Sequence, residues 1–143
     1  MKIAFLVSQF PSVSETFVLN QILFLLDLGH DVHIFADGSV KNIKIHDKYG
    51  KYDLSQKTHY YGIPENKVLR VLKAISLIFK YAPNNYNVIF GSLNIFRYGK
   101  PSLSLSLLFM SIALLERWPF DIIHSQFGTL GLFAAPLNQI LPS

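Results

Sequence analysis

The sequence predicts an α/β protein built on an open, doubly wound parallel sheet. Three observations carry that expectation. "KIAFLV" (2–7) is an unbroken apolar run, as a strand covered on both faces requires. A helical stretch and a second strand follow within the first 36 residues, which makes a βαβ unit with a right-handed crossover. A later apolar run, "FDIIHSQF" (120–127), again leads through a turn into a helical stretch. The composition agrees: 50% of the 143 residues are hydrophobic and only 15% are charged, which excludes a disordered chain. The length fits a single domain, 1–143. Such a chain buries roughly 68–70% of its unfolded surface, enough for a real core.

The elements follow in order. After the first strand comes "SQFPSVSETFVLNQ" (8–21), a polar junction without glycine. Ser12 and Glu15 fit the S-x-x-E capping box, in which each side chain satisfies an orphan backbone N–H. The helix opens near Ser12 or Ser14 and is apolar on nearly every side from Thr16 to Leu28. Gly29 is its expected left-handed stop. "DVHIFA" (31–36) is the next strand, and residues 37–56 read as a long polar loop with room for a short helix. "KTHYY" (57–61) is a short strand. Pro64, at the first helical position, starts a helix to about Tyr81, and Asn84 with Asn85 marks a break. "YNVIFGSLNIF" (86–96) fits strand or helix. Residues 102–116 read as an apolar helix ended by Pro119, and "TLGLFAAPLNQI" as a last helix with a break at Pro136.

Several function classes fall away. The absence of cysteine rules out a disulfide scaffold and thiolate metal sites. The apolar run 101–115 is 15 residues long, short of the roughly 20 that a membrane span needs. The N-terminal apolar run ends at Val7 with no small-residue cleavage site after it, so a strand explains it better than a signal peptide. A cytoplasmic protein is expected. Its charge is regional: nine of the thirteen Lys and Arg fall in 41–80, against Asp47, Asp53 and Glu65 alone. That asymmetry points to a surface with an anionic partner.

Ligands of open α/β sheets bind at the carboxyl ends of the strands, which singles out "SQFPSVSET" and "HSQFGTLG". Neither G-x-G-x-x-G nor G-x-x-x-x-G-K-[ST] is present, so nicotinamide and P-loop chemistry are not expected. The first loop instead offers a helix N-terminus with hydroxyls from Ser12, Ser14 and Thr16, suited to an anion or polar ligand. The plainer alternative, that Ser12 and Glu15 merely cap the helix, is compatible with it. The second loop offers His124, Gln126 and Gly128. His124 can act as a general base or bond a sugar hydroxyl or phosphate; it can equally be a satisfied core histidine. Asp121 reads as a turn residue at the strand's entry, and His30 as a structural residue at a helix end. His33, His46 and His59 lack ligand spacing, so no metal is expected.

The 64–81 helix carries Val68, Val71, Leu72, Ile75, Ile78 and Phe79 on one face and Lys67, Arg70, Lys73 and Lys80 on another. It reads either as a crossover helix with a solvated basic face or as a contact with anionic lipid headgroups. No aromatic stacking motif accompanies the charge, so nucleic acid is not an expected partner.

Both loops together resemble a known family. "FPSVSETFVLNQILFLLDLGHDVHIFA" is similar to the start of family-4 glycosyltransferases of the exopolysaccharide and colanic-acid type, which often read F-P-x-x-S-E-T-F and then G-H-x-V. "FDIIHSQFGTLG" resembles their later D-x-x-H-x-H/Q-F-G stretch. The resemblance implies the N-terminal half of a GT-B fold, a Rossmann-like domain that receives the acceptor. It implies retaining transfer from a nucleotide sugar to a saccharide or lipid-linked acceptor, in exopolysaccharide or lipopolysaccharide assembly. No cofactor or metal is implied, and a peripheral site on the inner membrane face is. Ser14, Glu15 and Thr16 would line the cleft near the donor phosphates, with Gln126, Phe127 and Gly128 at the other strand end. His124 is the catalytic candidate, since many relatives carry histidine at the place of Gln126 and glutamine cannot titrate. The E-x₇-E motif of a C-terminal donor domain is not in the chain. A fragment, inactive without that domain or a partner chain, is therefore expected. The alternative is a non-catalytic Rossmann-like module that binds a membrane or a partner.

Overall fold

A computed structural model describes residues 1–12, 16–39, 51–126 and 128–142. The proposed capping box, Ser14, Glu15 and Phe127 lie wholly or partly outside those residues. Two compact units are present: Met1–Tyr61 with Pro119–Gly131, and Gly62–Trp118 with Leu132–Ser143.

The first unit holds the sheet. Its strands are β1 (Lys2–Gln9), β2 (Asp31–Gly38), β3 (Thr58–Tyr60) and β4 (Ile122–Ser125), with helix α1 (Thr16–Asp27) between the first two and a single turn, α2 (Leu54–Lys57), before the third. All pairings are parallel, and the spatial order is β3-β2-β1-β4. The fold is therefore the expected Rossmann-like α/β sheet. Ile3–Val7 of β1 are all buried, which is why that run shows no polar alternation. Ile3, Phe5 and Val7 share a core with Val18, Ile22 and Leu23 of α1 and with Val32, Ile34 and Ala36 of β2. Each such large side chain, fully buried, contributes about 1.5–3 kcal/mol. The helix stops as expected. Gly29 sits at φ 80, its N–H donates to Leu26 O (2.9 Å), and the His30 N–H reaches Leu25 O (3.0 Å). Those two bonds are the paired contacts of a Schellman cap.

The opposite face of the sheet carries His33, Phe35, His59 and Phe120, ring against ring at 5.2–5.7 Å. Asp121 is at the entry end, where its carboxylate accepts from the Lys2 N–H (2.6 Å). β4 is shorter than the sequence suggested, 122–125 rather than 120–127, and it is half-exposed, as an edge strand is.

The second unit is helical: α3 (Lys67–Ser92), α4 (Ile95–Tyr98), α5 (Lys100–Leu103), α6 (Ser106–Leu115) and most of α7 (Gly128–Ile140). Three expectations are corrected here. First, α3 starts at Lys67, not Pro64, because the Asn66 side chain caps it, accepting from Val68 N (2.9 Å) and Leu69 N (3.3 Å). It runs past Pro83 and kinks at Asn85 (φ −139, ψ 40), so the ambiguous segment from Tyr86 to Ser92 is helical. Second, the apolar helix 102–116 is two pieces, parted where Leu105 takes a left-handed φ of 61. Third, Pro136 lies inside a helix that continues to Ile140.

The core of this unit is Ala74, Ile89, Leu108, Phe109 and Ile112, with Leu77, Ile78 and Tyr81 packed against it. Helix α6 supplies so much of it because its Leu107–Ile112 are all buried. The apolar face read from the sequence of α3 is not the one that packs. Of its six residues only Ile78 is partly buried; Val68, Val71, Leu72, Ile75 and Phe79 are exposed. No helix among the described residues is long and apolar enough to cross a membrane.

Candidate functional site

The strand order fixes where a ligand can be held. β1 is followed in the chain by β2 on one side and lies against β4 on the other, so the chain reverses its winding direction between β1 and β4. The carboxyl ends on either side of such a reversal leave a crevice between their diverging loops. Both loops singled out in the sequence leave from this rim.

The register brings them close. Leu6 pairs with Ser125, and the Gln126 N–H donates to Leu6 O at 3.0 Å, so Gln126 rises beside the last residues of β1. On the other flank Gln9 pairs with Gly38, and the Phe10 N–H donates to Gly38 O (2.9 Å). Ser8 and Gln9 are exposed where β1 reaches the rim. The next residue, Phe10, is 2% exposed and sits in the α1-facing core. Its carbonyl accepts from the Tyr60 hydroxyl (2.9 Å). A buried ring and two hydrogen bonds thus anchor the polar turn at its root.

Thr16 is exposed as the first residue of α1, and Gly128 is the first residue of α7. Two helix N-termini therefore follow the two rim loops. The positive dipole end of a helix favours an anion.

His124 is placed differently from Gln126. It pairs with Phe5, one residue short of the strand end, and its exposed ring lies 4.4 Å from that of Phe5. It lines a hollow of about 290 Å³ on the α1 side of the sheet, with Ile3, Phe5, Gln21, Phe24, Leu25 and Ile122. The two loop residues still meet: His124 Nε2 is 3.3 Å from Gln126 Oε1. With the proton on Nε2, the imidazole donates to that oxygen. Nδ1 stays an acceptor, and the Gln126 amide keeps its N–H bonds for a ligand.

Tyr60 and Tyr61 were not singled out in the sequence. Tyr61 is buried, with its N–H on Ala36 O (3.1 Å) and its hydroxyl on Phe35 O (3.4 Å). Burial pushes its phenol well above the ordinary value, with the Asp37 charge adding to the effect, so it stays neutral and structural. Tyr60 is half-exposed at the rim. The tandem tyrosines closing "KTHYY" at a strand's carboxyl end were the available signal.

The four basic residues of α3 do not act alike. Arg70 Nε and Nη1 donate to Pro64 O (2.9 Å) and Ser104 O (3.3 Å), and Lys73 Nζ to Gly62 O (2.6 Å). Lys67 is exposed, and the Lys80 ammonium lies 4.8 Å above the Tyr81 ring. Among the described residues no cluster of three or more His, Asp or Glu could hold a metal ion.

Comparison with known proteins gives three relatives. The chain is 34% identical over 143 residues to the amylovoran biosynthesis glycosyltransferase AmsK of Erwinia amylovora. It is 32% identical over 141 residues to WcaL of Salmonella typhimurium, and 31% identical over 143 residues to WcaL of Escherichia coli. The names of both WcaL proteins assign them provisionally to colanic acid biosynthesis as glycosyltransferases. No protein-family model matches the chain, and no solved structure matches it. Each match covers 98% of this chain, and the chain spans about a third (34%) of each relative's length. Along almost its whole length the chain is thus similar to one third of glycosyltransferases of amylovoran and colanic acid biosynthesis, the class that its two turn motifs resemble.

Proposed function

We propose that this chain supplies the acceptor side of a retaining glycosyltransferase of the GT-B type, working in extracellular polysaccharide or lipopolysaccharide assembly. The observation that carries the reading is the meeting of the two polar loops on one rim, Gln126 donating to Leu6 O beside the strand that ends in the Ser8–Ser12 turn. The crevice has the groups a sugar phosphate needs. Helix N-termini at Thr16 and Gly128 suit the donor diphosphate. The Gln126 amide suits a sugar hydroxyl, and His124, held against it at 3.3 Å, is the titratable group within reach. Ser14, Glu15 and Phe127 are assigned to the same crevice by their places in the two motifs. A nucleotide sugar is the donor substrate, a saccharide or lipid-linked saccharide is the acceptor, and no cofactor or metal takes part. The rest of the donor site belongs to sequence equivalent to the remaining two-thirds of the relatives.

The test is sugar transfer by this chain joined to that remaining part of AmsK or WcaL. Labelled sugar should pass from nucleotide sugar to the lipid or polysaccharide fraction, with retained anomeric configuration. His124→Ala and Gln126→Ala should each lower the rate by at least about tenfold, the loss of one or two good hydrogen bonds at the reacting centre. Transfer that these substitutions leave unchanged overturns the assignment.

A further inference from the structure

Two histidines and an aspartate join β2 to the short edge strand beside it. β3 has three residues, with Thr58, His59 and Tyr60 opposite Ile34, Phe35 and Ala36 of β2. Across that seam His33 Nδ1 lies 3.0 Å from His59 Nε2, and His33 Nε2 lies 3.2 Å from Asp31 Oδ2. An ionised carboxylate can only accept, so the proton of a neutral His33 sits on Nε2. Nδ1 is then an acceptor, and His59 fills it with an Nε2 proton. The bond across the seam therefore needs one donor and one acceptor ring.

Such a pair admits one extra proton and not two. With one, a cationic ring still meets the lone pair of the other. With two, N–H points at N–H and positive ring at positive ring across 3.0 Å. The surroundings sharpen that refusal. The His33 side chain is 19% exposed, with the Phe120 ring against it, and the buried Phe35 ring lies against His59. Among the described residues the other charged groups that face His33 are Asp31, Lys57 at the end of α2 and Lys2 of β1. Lys57 also donates to Asp31 Oδ1 (3.3 Å), so that carboxylate already serves a cation. Burial and both lysines oppose a charge on His33, and Asp31 alone favours it.

The residue after His59 ties β3 to the rim. The Tyr60 hydroxyl donates to Phe10 O (2.9 Å), at the root of the first loop, and the Tyr61 N–H donates to Ala36 O (3.1 Å). We propose that His33 and His59 form a proton-operated latch on β3. With one proton or none added, the pair bonds and Tyr60 holds the rim turn. The second proton parts the rings, frees β3 from β2 and releases Phe10 O. The rim turn is thereby ordered at neutral pH and loosened in mild acid. This inference rests on the sheet unit alone, whether or not the rim handles a sugar.

The experiment is amide hydrogen exchange of the 143-residue chain, read residue by residue by nuclear magnetic resonance at pH 7.5 and 5.5 and corrected for the intrinsic rate. In an open seam both imidazoles titrate near the ordinary value of about 6.5 and take two protons, against one for the closed pair. That difference of one proton raises the opening equilibrium about tenfold at pH 5.5 and hardly at pH 7.5. Protection of the Tyr61 and Phe10 amides should fall by that factor, while Leu28, bonded to Phe24 O, and Gln126, bonded to Leu6 O, keep theirs. His33→Gln and His59→Gln, each leaving one titratable ring, should each remove the pH dependence at Tyr61 and Phe10. Tyr60→Phe should lower protection of Phe10 about fivefold at both pH values, the loss of one hydrogen bond, and leave the pH dependence of Tyr61 in place. Tyr61 protection that does not change with pH, or that falls equally in both Gln variants, overturns the proposal. So does a fall shared by all four amides, which is global acid unfolding, or a Tyr60→Phe chain that protects Phe10 as the parent does.

Discussion

Phe10 is the root of the first rim loop, and Phe10→Ala tests whether the core holds that loop in place. The ring is 2% exposed and packs with the cluster of Phe5, Val7, Val18 and Ile22. Removing a buried phenyl group to Ala costs about 3–5 kcal/mol, the lost transfer energy plus the cavity left behind. The hydrogen bonds to Gly38 O and from the Tyr60 hydroxyl use backbone atoms, so the substitution leaves them able to form. The cost is then the ring's alone. Against a total stability of about 5–15 kcal/mol it is a large fraction. With a urea slope of about 2 kcal/mol per molar, the midpoint followed by circular dichroism should fall by roughly 2 M. Phe10→Leu keeps most of the apolar volume and should cost less than about 2 kcal/mol. If Phe10→Ala shifts the midpoint by less than about 0.5 M, the ring does not anchor the turn and the crevice is not preorganised by the core.

Three further outcomes are expected. Burial holds the His33 imidazole below its ordinary value despite the neighbouring Asp31; Lys2, Lys57 and the His59 ring, 3.0 Å from its Nδ1, also face it. The folded chain therefore resists a proton that the unfolded chain accepts near pH 6.5, and stability should fall as pH drops through that value; urea midpoints between pH 8 and 5 that do not fall, or fall equally in His33→Gln, contradict this. The Ser111 hydroxyl is fully buried and meets no hydrogen-bond partner among the described residues, so Ser111→Ala should raise stability by about 1 kcal/mol, read as an increased melting temperature. Gly29 has φ 80 with open space where a Cβ would go, so Gly29→Ala should cost about 1 kcal/mol from backbone strain alone, and a neutral result in urea denaturation would falsify the left-handed cap.

What could be read from the sequence was what local rules determine. Ile3–Val7 announce a buried central strand because no polar residue interrupts them. Gly29 announces a stop because few other residues tolerate its φ. The shared rim followed from parallel topology, which sends every strand-to-helix loop to the same side. Three-dimensional context decided the rest. Periodicity put Val68, Val71, Leu72, Ile75, Ile78 and Phe79 on one face, but spacing cannot say which of them a core covers. Of these only Ile78 packs, beside Ala74, in the cluster that holds Leu108 and Phe109. The break expected at Asn84 and Asn85 is a kink at Asn85, beyond which the chain remains helical. Leu105 at φ 61 splits a helix that its sequence gives no reason to split. At the rim, the contact between His124 and Gln126 was legible as two polar residues in one loop. The displacement of His124 into an apolar hollow under α1 was not, because Gln21, Phe24 and Leu25 come from a distant part of the chain.

The most direct measurement is a nuclear magnetic resonance titration of the isotope-labelled chain with a nucleotide sugar and with a soluble alkyl glycoside. The account expects backbone shifts to concentrate at Gln9, Phe10, Ser12, Thr16, Gly38, Ser125 and Gln126, and to vanish in Gln126→Ala with Thr16→Ala. Saturable shifts confined to other parts of the sheet or to the helical unit, or none with either ligand, contradict it.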